Sequence, residues 1–242
     1  ARSQCGRGRP AAGIASVHRM SVLDQIVKAY DVRGTVPDQL NGEVAYALGV
    51  AFARFAGAET LLVARDMRPS GEALVAEFAR GAQEQGVDVV DLGLASTDLL
   101  YYAAGAFDAP GAMFTASHNP AQYNGLKLCL AGARAVGIES GLAEVKATAE
   151  RVLAGDGPAP AAKAGTYSTR NVLPAFADHV LSFVDPASIA PLRVVADTAN
   201  GMGGLVLPAV FERLPQIELE IMYPELDGTF PNHPADPLQP AN

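Results

Sequence analysis

The sequence predicts an α/β protein, with a mixed, mainly parallel sheet covered by helices. Three observations carry this. Short apolar runs alternate with helix-periodic segments, the pattern of βαβ units. Two of the runs stand too close together for a helical crossover, so the second returns antiparallel. Hydrophobic residues make up 49% of the 242 residues and charged residues 18%, enough apolar side chain for one or two packed domains.

The elements follow in order. Val44, Leu48, Ala51, Phe52 and Phe55 recur at helical spacing across residues 41–56, with Gly57 as the stop. Leu61-Leu62-Val63-Ala64 reads as a buried strand. Ser70 is placed to cap a helix reaching Gln85, and residues 87–92 form the next strand. Thr97 is the expected cap of a helix to Ala106. The strand 112–115 follows, and 126–130 returns beside it. A helix over 140–153 completes the unit. Residues 155–165, rich in Gly, Pro and Ala, read as a linker. Beyond it lie a helix near 172–183 with Pro174 at its entrance, a strand at 192–197 and the glycine-rich turn 200–204. A helix to Arg213 and a strand at 217–223 come next. From Pro224 the chain is turn-rich and ends without a closing element, which predicts a fragment of a longer protein.

Composition narrows the function. A net charge of -8 argues against a general nucleic-acid surface. Cys5 and Cys129 do not make a disulfide framework, which fits a reducing cytoplasm. No run of 18 apolar residues appears, so no membrane span is expected. Residues 1–19 lack a signal-peptide core and read as a disordered extension, with Met20 as the expected native start.

The loop Thr115-Ala116-Ser117-His118-Asn119-Pro120 leaves a strand end, where α/β sheets place their active sites. Composition alone favours an ordinary polar turn. A serine acyl-hydrolase is a second reading, but the G-x-S-x-G elbow is missing. His118 is also poorly placed as a base, since adjacent side chains usually point apart. Other charged elements accompany the loop: Tyr30-Asp31-Val32-Arg33-Gly34, Arg65-Asp66-Met67-Arg68-Pro69-Ser70 and Tyr123-Asn124-Gly125-Leu126-Lys127.

Together these motifs resemble the α-D-phosphohexomutase superfamily, in its phosphomannomutase/phosphoglucomutase branch. Residues 194–204 and the run Asp227-Gly228-Thr229-Phe230-Pro231-Asn232-His233 extend the likeness into a second unit. The resemblance implies a four-domain mutase, with domain I over 20–154 and an incomplete domain II over 166–242. It implies a phosphorylated Ser117 that passes its phosphoryl group to a hexose phosphate through a 1,6-bisphosphate. Arg33 is then a cation facing that group, and Lys127 an acid/base or a fixed charge. His118 orients the loop or contacts phosphate. Asn119 fixes the loop, and Tyr30 is either a cleft hydroxyl or packing for Arg33.

Arg65, Asp66 and Arg68 are expected in a structural salt-bridge network. The resemblance further implies Mg²⁺ on the Ser117 phosphoryl oxygen, with its aspartates in a D-G-D-x-D-R loop beyond Asn242. Glucose or mannose 1,6-bisphosphate would be the activator. Without those aspartates the fragment alone is expected to be inactive. The substrate is expected to be a mannose or glucose phosphate, and the protein a cytoplasmic monomer with no nucleic-acid or membrane partner. A phosphoglucosamine mutase and a non-catalytic phosphosugar-binding protein are the alternatives.

Overall fold

The structure is a computed structural model that describes residues 21–240. The expected disordered extension at 1–19, with Cys5, and the expected start at Met20 lie outside the described residues. A short helix α1 (Val22–Ile26) opens the chain, capped by Ser21, and leads into β1 (Val32–Thr35). Helix α2 (Gly42–Ala56) begins where the Asn41 side chain accepts from the Val44 amide at 3.1 Å. It ends on Gly57 at φ 59°, a left-handed cap that glycine adopts without strain.

Strand β2 (Thr60–Arg65), helix α3 (Gly71–Glu84), strand β3 (Asp88–Leu94) and helix α4 (Thr97–Ala106) form the repeating unit. Strand β4 (Gly111–Phe114) then runs up to the serine loop, and β5 (Tyr123–Leu130) runs back antiparallel to it. A two-residue strand β6 (Arg134–Ala135) and helix α5 (Leu142–Leu153) follow. Two expected caps differ. Ser70 precedes α3 without a side-chain cap bond, because its Oγ instead accepts from Asn124 Nδ2 at 2.9 Å. Thr97 is the first residue of α4 rather than its cap; Ser96 holds that position without capping it.

With a last strand β7 (Tyr167–Thr169), the main sheet has the order β1-β5-β4-β2-β3-β7, with β6 on the side of β5. Strands β2, β3 and β4 are mutually parallel, while β5 is antiparallel to both β4 and β1. Two of these strands had no sequence signal: β1 is short and polar, and β7 (Tyr167–Thr169) is wholly exposed. Strand β7 pairs parallel with β3, so residues 167–169 still belong to the first sheet.

The second sheet begins only after α6 (Leu173–Leu181), with Pro174 in its first turn. It consists of parallel β8 (Leu192–Asp197) and β9 (Ile217–Met222), joined by α7 (Gly203–Phe211).

The unbroken apolar runs of β2 and β4 reflect burial on both faces. Leu61 and Val63 join Phe52, Phe78 and Phe114 in a core beneath α2, α3 and α5. Leu62 and Ala64 point the other way, into a second core with Leu99, Leu100 and Phe176 from α4 and α6. With both layers in place, the ends of β4 and β2 open on one edge, where the charged motifs gather. Among the described residues no helix is long and apolar enough to cross a membrane. Cys129 is free and buried, and burial pushes its thiol up to about 11.

Candidate active site

Ser117 lies just past the end of β4, exposed to solvent, with φ at 53°. Its amide donates to Thr115 Oγ1 at 3.0 Å, which closes a tight turn at the strand exit. A left-handed serine is disfavoured by its own Cβ, so the surroundings must hold it there. This backbone also corrects one expectation. The side chains of Ser117 and His118 do not point apart: Oγ stands 3.4 Å from Nδ1, a long contact that an extended backbone would not bring about.

The holding is done by Arg68, which is 1% exposed. Nη1 donates to the carbonyls of Pro120 and Tyr123, each at 2.8 Å. Nη2 donates to those of Ser117 at 2.8 Å and Asn119 at 2.7 Å. Nε donates to Asp66 Oδ2 at 3.3 Å, and Asp66 Oδ1 accepts from the Arg68 amide. A planar guanidinium thus sits inside the loop and binds four of its carbonyls at once. Arg65 stands apart from this network and faces Glu72 at 3.8 Å.

A second cluster forms on β1 and β5. Their register pairs Val32 with Leu126, which sets Asp31 across from Lys127. Lys127 Nζ donates to Asp31 Oδ2 at 2.9 Å. Arg33, two residues on and hence on the same face, reaches that oxygen from Nε at 3.0 Å and Nη2 at 2.9 Å. Burial alone would raise the Asp31 carboxyl, but the hydrogen bonds and charges of Arg33 and Lys127 outweigh it and hold it below the ordinary value. Arg33 Nη1 also donates to Asn119 Oδ1 at 2.8 Å, which ties the cation cluster to the serine loop.

Gly125 lets the strands meet this closely. A Cβ there would stand 2.3 Å from the Val32 carbonyl oxygen and 2.7 Å from that of Thr115. Tyr30, next to Asp31 in sequence, is 81% exposed.

A cavity of about 350 Å³ opens beside Ser117 and His118. Its walls come from both units: Asp66 and Thr115 on one side, Thr198, Gly201 and Phe230 on the other. The glycine-rich turn at 200–204 therefore shares a wall with the serine. Asn200 within it is buried, donating to the Glu225 carbonyl at 3.0 Å and accepting from Asn232 Nδ2 at 2.8 Å. A larger apolar groove lies between α4 and α6, lined by Tyr102, Phe176, His179 and Phe183, away from the charged motifs.

Among the described residues no three His, Cys, Asp or Glu side chains converge. Asp66 is engaged by Arg68, and Asp31 by Arg33 and Lys127. These residues therefore do not by themselves fit a magnesium site. Sequence reasoning missed Asp31 and gave Arg68 only a generic ion pair. Both stand inside the motifs, but only the register and the loop's fold reveal what they hold.

Comparison with known proteins agrees with this architecture. The family model described as Phosphoglucomutase/phosphomannomutase, alpha/beta/alpha domain I, matches residues 24–152. A phosphomannomutase of Salmonella montevideo is 36% identical over 219 residues, covering 88% of this chain and 47% of that protein. The protein named Phosphohexose mutases in Xanthomonas campestris pv. campestris is 36% identical over 216 residues, covering 89% and 47%. The chain thus spans about half the length of the curated relatives it matches. The crystal structure of a phosphoglucomutase/phosphomannomutase family protein from Burkholderia thailandensis superposes with a TM-score of 0.76 at 31% identity, over 92% of this chain and 48% of that one.

Proposed function

The chain belongs to the phosphoglucomutase/phosphomannomutase family, and on that premise we propose that the protein interconverts a hexose 1-phosphate and its 6-phosphate through a phosphoserine at Ser117. The observation that carries the reading is Ser117 itself: exposed, left-handed and clamped by Arg68 at the mouth of a cavity.

In the forward direction the Ser117 phosphoryl group passes to the free 6-hydroxyl oxygen of the sugar. The bond from phosphorus to Oγ breaks, and the hydroxyl proton ends on Oγ. The resulting 1,6-bisphosphate then returns its other phosphoryl group to Ser117. A phosphoserine carries about -1.5 to -2 charges, so the reaction depends on positioning and charge balance. Arg33 and Lys127 supply cations on the neighbouring strands, oriented by their shared Asp31. Lys127 serves as a fixed charge or a proton carrier, His118 steadies the phosphoserine side, and Asn119 joins loop to cations. Tyr30, open to solvent, is available to a sugar.

Mg²⁺ and a hexose 1,6-bisphosphate are the cofactor and activator this reading expects, with the Ser117 phosphoryl oxygen offered to the ion. Mannose and glucose phosphates are the proposed substrates, and the setting a cytoplasmic one. The test is to incubate the full-length protein with glucose 1,6-bisphosphate and Mg²⁺ and map the phosphate by mass spectrometry. The expected result is phosphate on Ser117; an unmodified Ser117 refutes the proposal.

A further inference from the structure

Arg68 heads the largest fully buried side chains of the protein, and each of its guanidinium donors is used. Four of the acceptors are carbonyls of the loop that carries Ser117 and of Tyr123, the β5 residue on which that loop ends. A surface turn of this kind could satisfy the same carbonyls with water, so an interior cation is not needed merely to solvate them. What the guanidinium adds is a fixed planar template. With Nη2 holding the Ser117 carbonyl at 2.8 Å, the peptide after Ser117 cannot rotate without breaking a charged, partly buried hydrogen bond.

The second unit reaches the same side chain. The Phe230 ring lies over the guanidinium, its centroid 5.2 Å from Cζ, and closes it from solvent. The turn before it presses on the backbone, where a Cβ at Gly228 would stand 2.5 Å from Arg68 Cα and 2.9 Å from the Met67 carbonyl oxygen. Asp227 and Thr229 stiffen that turn, since Asp227 Oδ1 accepts from both the amide and the hydroxyl of Thr229. The turn is in turn fastened to β8 and β9 through Asn200, whose carbonyl accepts from the Asp227 amide at 3.0 Å. An unbroken set of contacts therefore runs from the second sheet through Phe230 and Arg68 to the carbonyl of Ser117.

We infer that Arg68 is a positioning residue for phosphoryl transfer, acting through the Ser117 backbone, and that Phe230 couples it to the placement of the second unit. This rests on Ser117 being the phosphoryl carrier. In-line transfer is sensitive to small misplacement, on the order of 100-fold in rate per ångström. Lysine at position 68 keeps the charge but has a single ammonium in place of the planar fork.

The experiment loads the full-length wild type, Arg68→Lys and Phe230→Leu with glucose 1,6-bisphosphate and Mg²⁺. Phosphate on Ser117 is quantified by mass spectrometry. The loaded proteins are then mixed with glucose 1-phosphate, and the single-turnover rate constant is read by rapid quench. That constant is taken per phosphorylated serine, so a change in the folded fraction alone does not move it. Arg68→Lys is expected to lower it about 100-fold, and Phe230→Leu several-fold. If Arg68→Lys transfers within twofold of wild type, the positioning role is overturned. A wild-type rate in Phe230→Leu overturns the coupling, and Phe230→Leu decides the whole inference if Arg68→Lys does not fold. A wild type that takes up no phosphate overturns the mutase reading itself, and this inference with it.

Discussion

Replacing Asp31 with asparagine tests whether one carboxylate organises the cation cluster. The Asp31 side chain is 7% exposed, and one of its oxygens receives Lys127 and two nitrogens of Arg33 within 3.0 Å. Removing one partner of a fully buried ion pair costs about 3–5 kcal/mol. Here the cations remain about a quarter exposed, and asparagine retains an acceptor, so the expected cost is nearer about 2 kcal/mol. At about 2–4 °C per kcal/mol for a domain of this size, Tm should fall by about 4–8 °C at pH 7.

The pH dependence has a definite sign. The folded-state carboxyl lies below its ordinary value, so its stabilisation is fully present above that value. It is lost as pH falls through the lowered folded value. Thermal melts of wild type and Asp31→Asn from pH 7 down to pH 2 should therefore converge only in the acid limb, below about pH 4. A gap under about 2 °C at pH 7, or one that stays constant or widens toward acid, would refute the account of Asp31 as the charge that binds the cluster.

Other outcomes follow from single contacts. Ser117→Ala should abolish phosphate uptake and lower turnover of the full-length protein by at least about 1,000-fold, with Tm almost unchanged because among the described residues the exposed Oγ makes just the long His118 contact; mass spectrometry and a coupled assay check this. Gly125→Ala should cost about 3 kcal/mol or more, since its Cβ would collide with the backbone oxygens of Val32 in β1 and of Thr115 just past β4, and thermal melts with soluble yield will show it. Asn41→Ala should cost about 1 kcal/mol, read as a Tm drop of about 2–4 °C without any change in phosphate on Ser117, because it removes only the α2 cap.

Long, periodic and doubly buried elements were legible in the sequence. The α2 pattern and the apolar β2 run express burial, which acts directly on residue type, and the antiparallel return of β5 follows from a connection too short for a helical crossover. Strands β1 and β7 were not legible, because Val32-Arg33-Gly34-Thr35 and Tyr167-Ser168-Thr169 are held by pairing with neighbours distant in sequence. The site divides in the same way. Ser117, Arg33 and Lys127 stand out as chemistry-bearing residues in motifs. The link between Lys127 and Asp31 depends on strand register, and the link between Arg68 and the loop on four carbonyls that carry no residue identity. Ser70 shows the converse: a good cap by residue type was drawn off to Asn124, a partner visible only in three dimensions.

On the proposed mechanism, the charges around the loop bear on how it would hold and release a phosphoryl group. Arg33, Lys127 and Arg68 stand against Asp31 and Asp66, which leaves one net positive charge around the unmodified loop. Adding a phosphoserine of about -1.5 to -2 charges reverses the sign without neutralising it. A cluster with more free cation would bind the phosphoserine tightly and stabilise it over the transition state, which slows transfer. On the proposed mechanism Asp31 is then more than an anchor: by occupying Arg33 and Lys127 it would limit how strongly the pair can trap the phosphoryl group. On this argument, Asp31→Asn should raise the phosphate occupancy of Ser117 at equilibrium with bisphosphate while lowering turnover, a pairing that simple loss of structure would not produce.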